Sequence, residues 1–215
     1  METYQAEFIE FAIRNRALQF GRFTLKSGRV SPYFFNSGLF NDGGSIARLG
    51  AFYMQALDHA GLPFDMLFGP AYKGIPLVTA VAIAYAQQHA RLLPYSFDRK
   101  EEKDHGEGGV VAGAALRGEV LIIDDVITAG TSVHHAIDLI RRHGARPAAV
   151  AIALDRQERG QDPAGASAIE EIQQRYRIPV IPIISLDNLI EYLHRQPEYA
   201  TPLQEVARYR EQYGV

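Results

Sequence analysis

The sequence contains no cysteine among its 215 residues, which excludes disulfide bonds, thiolate zinc sites and a cysteine nucleophile. It also lacks an excess of basic residues, because the formal net charge is −3 and residues of both signs are interspersed. A protein that binds a polyanion needs a basic face or stripe. We therefore expect no nucleic acid as a partner.

Long apolar segments are missing as well. No run is long enough to span a bilayer, and the N-terminal residues carry charges throughout, unlike the apolar centre of a signal peptide. We therefore expect a cytoplasmic protein that makes no contact with membranes. There is no internal repeat or low-complexity tract, and a length of 215 residues suits one domain, which we assign to residues 1–215.

Apolar, strand-like segments alternate with segments of helical periodicity. The strand pattern covers residues 65–69, 92–97, 110–113, 119–124, 147–155 and 180–185. The helical pattern covers residues 3–20, 43–60, 74–90, 131–143 and 165–177, and further helical segments finish the chain. This alternation predicts the α/β class, with a mostly parallel sheet flanked by helices. Residues 22–40 are predicted as short strands around loops, and residues 1–40 as a small N-terminal cap, or hood, over the core.

Four segments follow predicted strands at the edge of the sheet where a ligand is expected. In parallel sheets, ligands bind beyond the carboxyl ends of the strands, and we expect these segments to converge there. They are GPAYKG (69–74), the polar segment 99–109, DDVITAGTS (124–132) and DRQERG (155–160).

The stretch VLIIDDVITAGTS (120–132) is the most informative of these segments. Its last residues are small and enter a predicted helix, so backbone N–H groups can approach a ligand closely at a helix N-terminus. Thr128, Thr131 and Ser132 add hydroxyl donors, which suits a phosphate group. The stretch contains neither G-x-x-x-x-G-K-[ST] nor G-x-G-x-x-G, so a P-loop and a dinucleotide turn are not indicated.

Two adjacent acids, Asp124 and Asp125, precede this loop. They would repel a phosphate unless they faced another group, and ionised carboxylates accept hydrogen bonds from sugar hydroxyls. The stretch therefore indicates a ribose 5-phosphate site. The acids can also stabilise positive charge on the anomeric carbon, or hold magnesium directly or through water. One Asp at a strand end is more often a turn residue or helix cap, but two acids followed by T-A-G-T-S favour a ligand.

The remaining segments each allow a functional and a structural interpretation. RKEEKDHGEGG (99–109) is either a solvated charge run or a cationic lid, hinged at its glycines, that closes over a diphosphate. Lys73 offers a point charge to a phosphate, or is a surface lysine in a turn. Arg156 suits a carboxylate, or makes a surface salt bridge. His134 and His135 lack metal-site spacing and are interpreted as structural or surface residues.

Together these motifs resemble a known family. The stretch 120–132 resembles the signature with which type I phosphoribosyltransferases bind 5-phosphoribosyl 1-diphosphate (PRPP). Four further segments are similar, in order and spacing, to those of orotate phosphoribosyltransferases: FGRFTLKSGRVSPYFFN (20–36), GPAYKG (69–74), RKEEKDHGEGG (99–109) and DRQERG (155–160). The resemblance covers nearly the whole chain and implies a type I phosphoribosyltransferase-like fold with a small N-terminal hood.

The resemblance also implies a role for each candidate site residue. The residues implied to bind PRPP are Lys26, Tyr72, Lys73, Arg99, Lys100, Lys103, His105, Asp124, Asp125, Val126, Ile127, Thr128, Ala129, Gly130, Thr131 and Ser132. Those implied to bind orotate are Lys26, Phe34, Phe35, Thr128 and Arg156, and those implied to act in catalysis are Lys103, His105, Asp124 and Asp125. A cis or otherwise unusual peptide near Ala71–Tyr72 is implied as well.

The implied reaction transfers the 5-phosphoribosyl group from PRPP to orotate, with Mg²⁺ as the cofactor. The implied assembly is a homodimer with shared active sites, in which segment 99–109 is a mobile loop and Arg99, Lys103 and His105 act in trans. Three rivals remain: a phosphoribosyltransferase for another base, a regulator that binds PRPP without reaction, and a structural protein with this fold. A regulator would not need the cationic lid, and a structural protein would leave the strand-end motifs unexplained.

Overall fold

The computed structural model describes residues 1–25, 27–103, 109–160 and 166–215, with the backbone alone for residues 100–103. Among the predicted site residues, Lys26 and His105 therefore lie outside the described residues, and so do the side chains of Lys100 and Lys103.

The described chain forms helices and strands that alternate in its central part, from β6 to α6. The helices are α1 (Thr3–Arg14), α2 (Gly43–Ala60), α3 (Gly74–His89), α4 (Thr131–Arg142), α5 (Ala168–Tyr176), α6 (Leu186–His194) and α7 (Ala200–Tyr213), with 3₁₀ turns at Ser37–Leu39 and Pro197–Tyr199. The strands are β1 (Leu18–Thr24), β2 (Val30–Phe35), β3 (Met66–Gly69), β4 (Tyr95–Lys103), β5 (Gly109–Gly113), β6 (Glu119–Ile123), β7 (Arg146–Asp155) and β8 (Val180–Ser185).

The central sheet has the strand order β5-β4-β3-β6-β7-β8. Its neighbours pair in parallel except β4 and β5, which form an antiparallel hairpin at one edge. Strands β1 and β2 form a separate antiparallel ribbon near the N-terminus. The predicted α/β class with a mostly parallel, helix-flanked sheet is confirmed.

Strands β3, β6, β7 and β8 are largely buried on both faces, which explains why they are nearly continuously apolar. Because side chains alternate along a strand, Leu121 and Ile123 of β6 pack into one core cluster with residues of α2 and α3. Val120 and Ile122 pack into a second cluster with residues of α4. Sequence periodicity therefore determines which helix covers which face.

The hood shares the first of these clusters and is not a separate core. Phe8 of α1 lies 6.3 Å from Phe35 of β2 and 5.3 Å from Phe52 of α2, measured between ring centroids. Arg29 donates hydrogen bonds to the carbonyls of Arg159 (2.8 Å) and Gly160 (2.6 Å). The hood is therefore fastened both to the helical layer and to the segment that follows β7.

Local sequence signals account well for α2. Asp42 caps its N-terminus by accepting hydrogen bonds from the backbone N–H groups of Gly44 (2.8 Å) and Ser45 (2.9 Å). The helix ends before Gly61, as predicted from the sequence. Among the described residues, no helix has both the length and the apolar character that crossing a membrane requires.

Two predicted elements have wrong bounds. The helix predicted over 3–20 ends at Arg14, because the chain turns through Arg16 at a positive φ of 57° and enters β1. The strand predicted over 92–97 is observed as Tyr95–Lys103. Leu92 is 85% exposed and does not join the core, whereas the strand continues past Phe97, with Asp98 and Lys103 paired to β5 at the sheet edge.

Candidate active site

The Gly69–Gly74 turn joins β3 to α3 at the carboxyl edge of the sheet. It is so tight that only glycine fits at its two ends: a Cβ on Gly69 would lie 2.2 Å from the carbonyl oxygen of Gly74. The peptide bond between Ala71 and Tyr72 is cis, in agreement with the expectation from the sequence. Tyr72 is 68% exposed, and the turn therefore presents its backbone and side chains beyond the strand end.

Asp125 connects this turn to the end of β6. Its Oδ2 accepts hydrogen bonds from Nζ of Lys73 (2.6 Å) and from Oγ of Ser37 in the hood (2.8 Å). Its Oδ1 accepts the backbone N–H of Val126 at 2.8 Å. All three partners are donors, which suits an ionised carboxylate because that group only accepts hydrogen bonds. Lys73 is thus an ion-pair partner inside the site rather than an isolated surface lysine.

Asp124 faces the other way, toward the helix that follows. Its Oδ2 accepts a hydrogen bond from Oγ of Ser132 (2.7 Å), and its Oδ1 accepts the N–H of Asp125 (2.8 Å). Its carbonyl oxygen accepts the hydroxyl of the buried Tyr53, at 2.7 Å. Burial raises the pKa of Asp124 to about 6, while the hydrogen bond from Ser132 acts in the opposite direction.

The raised pKa of Asp124 leads to a prediction about the free energy of unfolding of the ligand-free protein. Asp124→Asn is expected to raise the free energy of unfolding at pH 8 by roughly 1–3 kcal/mol, because the variant buries no charge. The folded-state pKa lies above the unfolded value of 3.8, so stability from the protonated carboxyl is complete below pH 3.8. That stability is lost as pH rises through about 6.

Urea unfolding at pH 4.5 and pH 8, with a chelator present, tests this prediction. The advantage of Asp124→Asn over the unsubstituted protein should be large at pH 8 and small at pH 4.5. Asp138→Asn, on the exposed face of α4, is the matched control and should show no such difference. A variant that is equally stable or less stable at pH 8 would contradict the assignment of a buried charge.

The loop from Val126 to Ser132 leads into the N-terminus of α4 and is partly exposed. Thr128, Ala129 and Thr131 are exposed, and no side chain among the described residues caps the N-terminus of α4. Gly130 begins the helix at φ +70°, a left-handed conformation that favours glycine. Open backbone donors, the helix dipole and the threonine hydroxyls therefore point to the same ligand class, an anion. Val126 and Ile127 pack partly into the core, so they offer the ligand their backbone.

The two hood phenylalanines have different environments. Phe34 is 37% exposed and stacks on Phe23, with ring centroids 5.5 Å apart. Phe35 is buried against Phe8 and Phe40. A planar ligand can therefore meet the ring of Phe34, whereas Phe35 has only its backbone to offer.

Arg156 is held firmly at the end of β7. Its side chain is 12% exposed, and it binds Glu158 through Nε (2.7 Å) and Nη2 (2.6 Å). Nη2 also donates to Oγ of Ser31 (3.1 Å), and the guanidinium lies 4.3 Å from the ring centroid of Tyr33. The salt bridge considered for Arg156 is thus present, but it is nearly buried and fixes the guanidinium between the hood and β7.

Two of the four strand-end segments are in direct contact, and each of them also contacts one of the strands, β4 and β7, that lead to the other two. Lys73–Asp125 joins the Gly69–Gly74 turn to the loop after β6. Ala71 N–H donates to a carboxylate oxygen of Asp98 in β4. The N–H of Ala153 in β7 donates to the carbonyl of Asp125 at 2.8 Å. Arg99 lies in β4, next to Asp98.

Three residues that contact this site were not predicted from the sequence. Ser37, Tyr53 and Asp98 contact the predicted residues across 88, 71 and 27 positions of the chain, respectively. His135, interpreted as structural or surface, has its Nε2 3.6 Å from Oδ2 of Asp98. Asp98 alone carried a sequence signal, since a charged residue directly continues an apolar strand.

The donor set of this edge fits a magnesium ion that arrives with its substrate. The described residues contain no cluster of three or more His, Cys, Asp or Glu able to enclose a metal. Mg²⁺ usually keeps several waters and is held by one or two carboxylates together with substrate phosphates. Asp124 and Asp125, beside a predicted phosphate loop, supply that number of carboxylates.

Comparison with known proteins adds independent information. Residues 40–180 match the family model for the phosphoribosyl transferase domain. The chain is 58% identical to the orotate phosphoribosyltransferase of Thioalkalivibrio sulfidiphilus and 56% identical to that of Thiobacillus denitrificans, and each alignment covers 100% of both chains. The crystal structure of orotate phosphoribosyltransferase from Francisella tularensis is similar with a TM-score of 0.88 at 42% identity, covering 97% of this chain and 100% of that one.

Proposed function

Because the chain belongs to the orotate phosphoribosyltransferases, we propose that the edge formed by the Gly69–Gly74 turn, the Asp124–Ser132 loop and the hood is its active site. The enzyme transfers the 5-phosphoribosyl group from PRPP to orotate and releases orotidine 5′-monophosphate and diphosphate, a step of de novo pyrimidine biosynthesis. The observation that carries the site assignment is the Lys73–Asp125 ion pair of 2.6 Å, which joins two strand-end loops across 52 positions of the chain.

Different residues are proposed to bind the 5-phosphate, the ribose and the diphosphate of PRPP. The loop Val126–Ser132 binds the 5-phosphate through backbone N–H groups and the hydroxyls of Thr128 and Thr131. Asp124 and Asp125 accept the ribose hydroxyls and stabilise the positive charge that develops on the anomeric carbon. Lys73 and the backbone of the Gly69–Gly74 turn bind the diphosphate. Lys26 is also proposed to bind PRPP, on the basis of its sequence motif alone.

Orotate lies on the hood side of the site. The ring of Phe34 covers one face of the pyrimidine, and the backbone of Phe35 contributes at its edge. Arg156 binds the carboxylate of orotate, for which a guanidinium has the matching fork. This arrangement directs the ring nitrogen of orotate toward the anomeric carbon, so positioning and charge stabilisation replace a protein nucleophile.

Magnesium is the proposed cofactor, and Asp124 and Asp125 are the residues that would hold it directly or through water. When bound, it neutralises negative charge on the diphosphate leaving group. Two neighbouring residues assist these carboxylates: Lys73 balances the charge of Asp125 until PRPP binds, and Ser132 orients Asp124.

The segment 99–109, of which residues 99–103 are part of β4 and Gly109 begins β5, is proposed as the mobile loop of a single domain spanning residues 1–215, with residues 1–40 as its hood. In a homodimer it closes over the partner's site, where Arg99, Lys103 and His105 neutralise the diphosphate and exclude water, while Lys100 is a further residue proposed to bind PRPP. Lys103 is the group proposed to compensate the leaving diphosphate. A cytoplasmic location completes the proposal and is tested by cell fractionation.

A hybrid-dimer experiment tests the shared site. Lys103→Ala and Asp125→Asn are each expected to be poorly active alone, with turnover of the first lowered roughly 10- to 100-fold. Mixed and allowed to exchange subunits, they should regain about a quarter of the unsubstituted activity, because half of the dimers are hybrids and each hybrid holds one intact site. Recovery requires that Lys103 of one subunit serve Asp125 of the other. Subunit exchange without any recovery would contradict action in trans.

A further inference from the structure

Asp98 is a nearly buried carboxylate that none of the substrate contacts above employs. It lies in β4 with 7% of its surface exposed, while Ser96 on the same face of the strand is fully buried. It directly follows the last pair between β3 and β4, Gly69↔Phe97, so it reaches the beginning of the Gly69–Gly74 turn. In the pairing of β4 with β5, Asp98 is the last residue before a shift in register, and the next pair is Lys103↔Gly109.

Its two oxygens have different partners. Oδ1 accepts the backbone N–H of Ala71, in the Gly69–Gly74 turn. Oδ2 lies 3.6 Å from Nε2 of His135, on the first turns of α4, the helix that begins at the phosphate loop. One side chain therefore joins three parts of the site: the turn after β3, the root of segment 99–109 and the start of α4.

Burying the negative charge of Asp98 is energetically unfavourable unless the carboxylate stabilises a neighbouring group. A carboxylate removed from water loses free energy unless it is hydrogen-bonded, and it would also repel a diphosphate bound nearby. A hydrogen bond from an amide to a charged acceptor is stronger than one between neutral groups, and it holds the donor's backbone in one orientation. The charge of Asp98 faces Ala71, whose neighbours Tyr72 and Lys73 are proposed to meet the diphosphate.

We infer that Asp98 is a positioning residue for PRPP: it holds Ala71 so that the Gly69–Gly74 turn keeps the shape that receives the diphosphate. This inference rests on the proposed assignment of that turn to PRPP. Asp98 does not touch orotate or the reacting carbon, so its loss weakens PRPP binding and leaves orotate binding intact. What Ala71 requires is an acceptor oxygen; an asparagine in place of Asp98 supplies one.

The test compares Asp98→Ala with Asp98→Asn in steady-state kinetics, varying each substrate separately. Asp98→Ala should raise KM for PRPP about 10- to 100-fold, as expected for loss of one hydrogen bond to a charged group, with KM for orotate and kcat changed less than about threefold. Asp98→Asn should restore KM for PRPP to within about fivefold of the unsubstituted value, because its amide oxygen accepts the N–H of Ala71.

A control at the opposite end of β3 separates positioning from general destabilisation. Asp65 makes the same kind of bond, accepting the backbone N–H of Glu119 at 2.8 Å, on the side of the sheet away from the site. Asp65→Ala should lower the melting temperature without changing either KM. If Asp98→Ala does not fold, Asp98→Ser replaces it, since its shorter hydroxyl does not reach Ala71.

The possible outcomes distinguish this inference from the site assignment. If Asp98→Ala or Asp98→Ser retains the unsubstituted KM for PRPP, or if both KM values rise together, Asp98 does not position the turn. If the asparagine variant is as impaired as the alanine variant, charge rather than an acceptor is needed, and the inference is also overturned. If Lys73→Ala leaves KM for PRPP unchanged, the assignment of the turn to the diphosphate is wrong, whatever Asp98 does.

Discussion

Asp125→Asn is expected to lower kcat/KM for PRPP about 1,000-fold, because it removes a charge that is both nearly buried and paired. The carboxylate accepts three donors, from Lys73, Ser37 and the N–H of Val126. An amide has one acceptor oxygen, so its NH₂ group must face at least one of these donors. The substitution therefore disturbs the turn, the hood and the loop together, in addition to the proposed contacts with the ribose hydroxyls.

Steady-state kinetics with PRPP varied at saturating orotate measures this effect. Asp138→Asn, on the exposed face of α4, is the matched control and should keep full activity. Ser37→Ala removes only one of the donors and should have a smaller effect than Asp125→Asn. A kcat/KM for PRPP within tenfold of the unsubstituted enzyme in Asp125→Asn would contradict the central position given to this carboxylate.

Arg156→Ala is expected to raise KM for orotate about 100-fold while KM for PRPP changes little, as for loss of a charge-assisted contact. Arg156 lies between the hood and the end of β7, fixed by Glu158, Ser31 and the ring of Tyr33. A guanidinium already held in place loses little conformational freedom when a ligand carboxylate binds. Arg156→Lys keeps the charge without the fork and should recover only part of the affinity.

A second arginine on the same strand serves as the control. Arg146 begins β7 at the opposite end and pairs with Glu119 at 2.5 Å, but it is 75% exposed. Arg146→Ala should leave both KM values unchanged. Because Arg156→Ala also leaves Glu158 without its nearest cation, the double variant with Glu158→Gln should regain stability without regaining orotate affinity. An unchanged KM for orotate in Arg156→Ala would refute the contact with the orotate carboxylate.

The sequence predicts best those parts of the fold that local patterns determine. Helix α2 follows from its cap at Asp42 and its end before Gly61, and the buried strands follow from short apolar runs. The helix predicted over 3–20 was too long because apolar spacing continues past Arg14, and spacing alone does not reveal the positive φ at which the chain turns at Arg16. The bounds of β4 were predicted wrongly because its polar end is held in the sheet by pairing with β5, and this tertiary contact cannot be seen in the amino-acid composition.

In the site, too, local sequence patterns predict some residues, whereas tertiary contacts determine others. Asp124, Asp125 and the loop to Ser132 are contiguous with a strand end, and their positions follow from the strand–helix pattern. Ser37, Tyr53 and Asp98 contact that site from distant parts of the chain, and nothing in their local sequence indicates the partner. A charge inside a strand is the one signal that invites a search for such a residue.

The most direct test of the central claim is the ultraviolet absorbance of orotate followed over time with the purified protein, PRPP and Mg²⁺. The account predicts that the orotate signal falls only when all components are present, that diphosphate appears in equal amount, and that Asp125→Asn nearly abolishes the change. A stable orotate signal with the complete mixture, in a protein that still binds PRPP, would contradict the account and indicate a PRPP-binding protein without transferase activity.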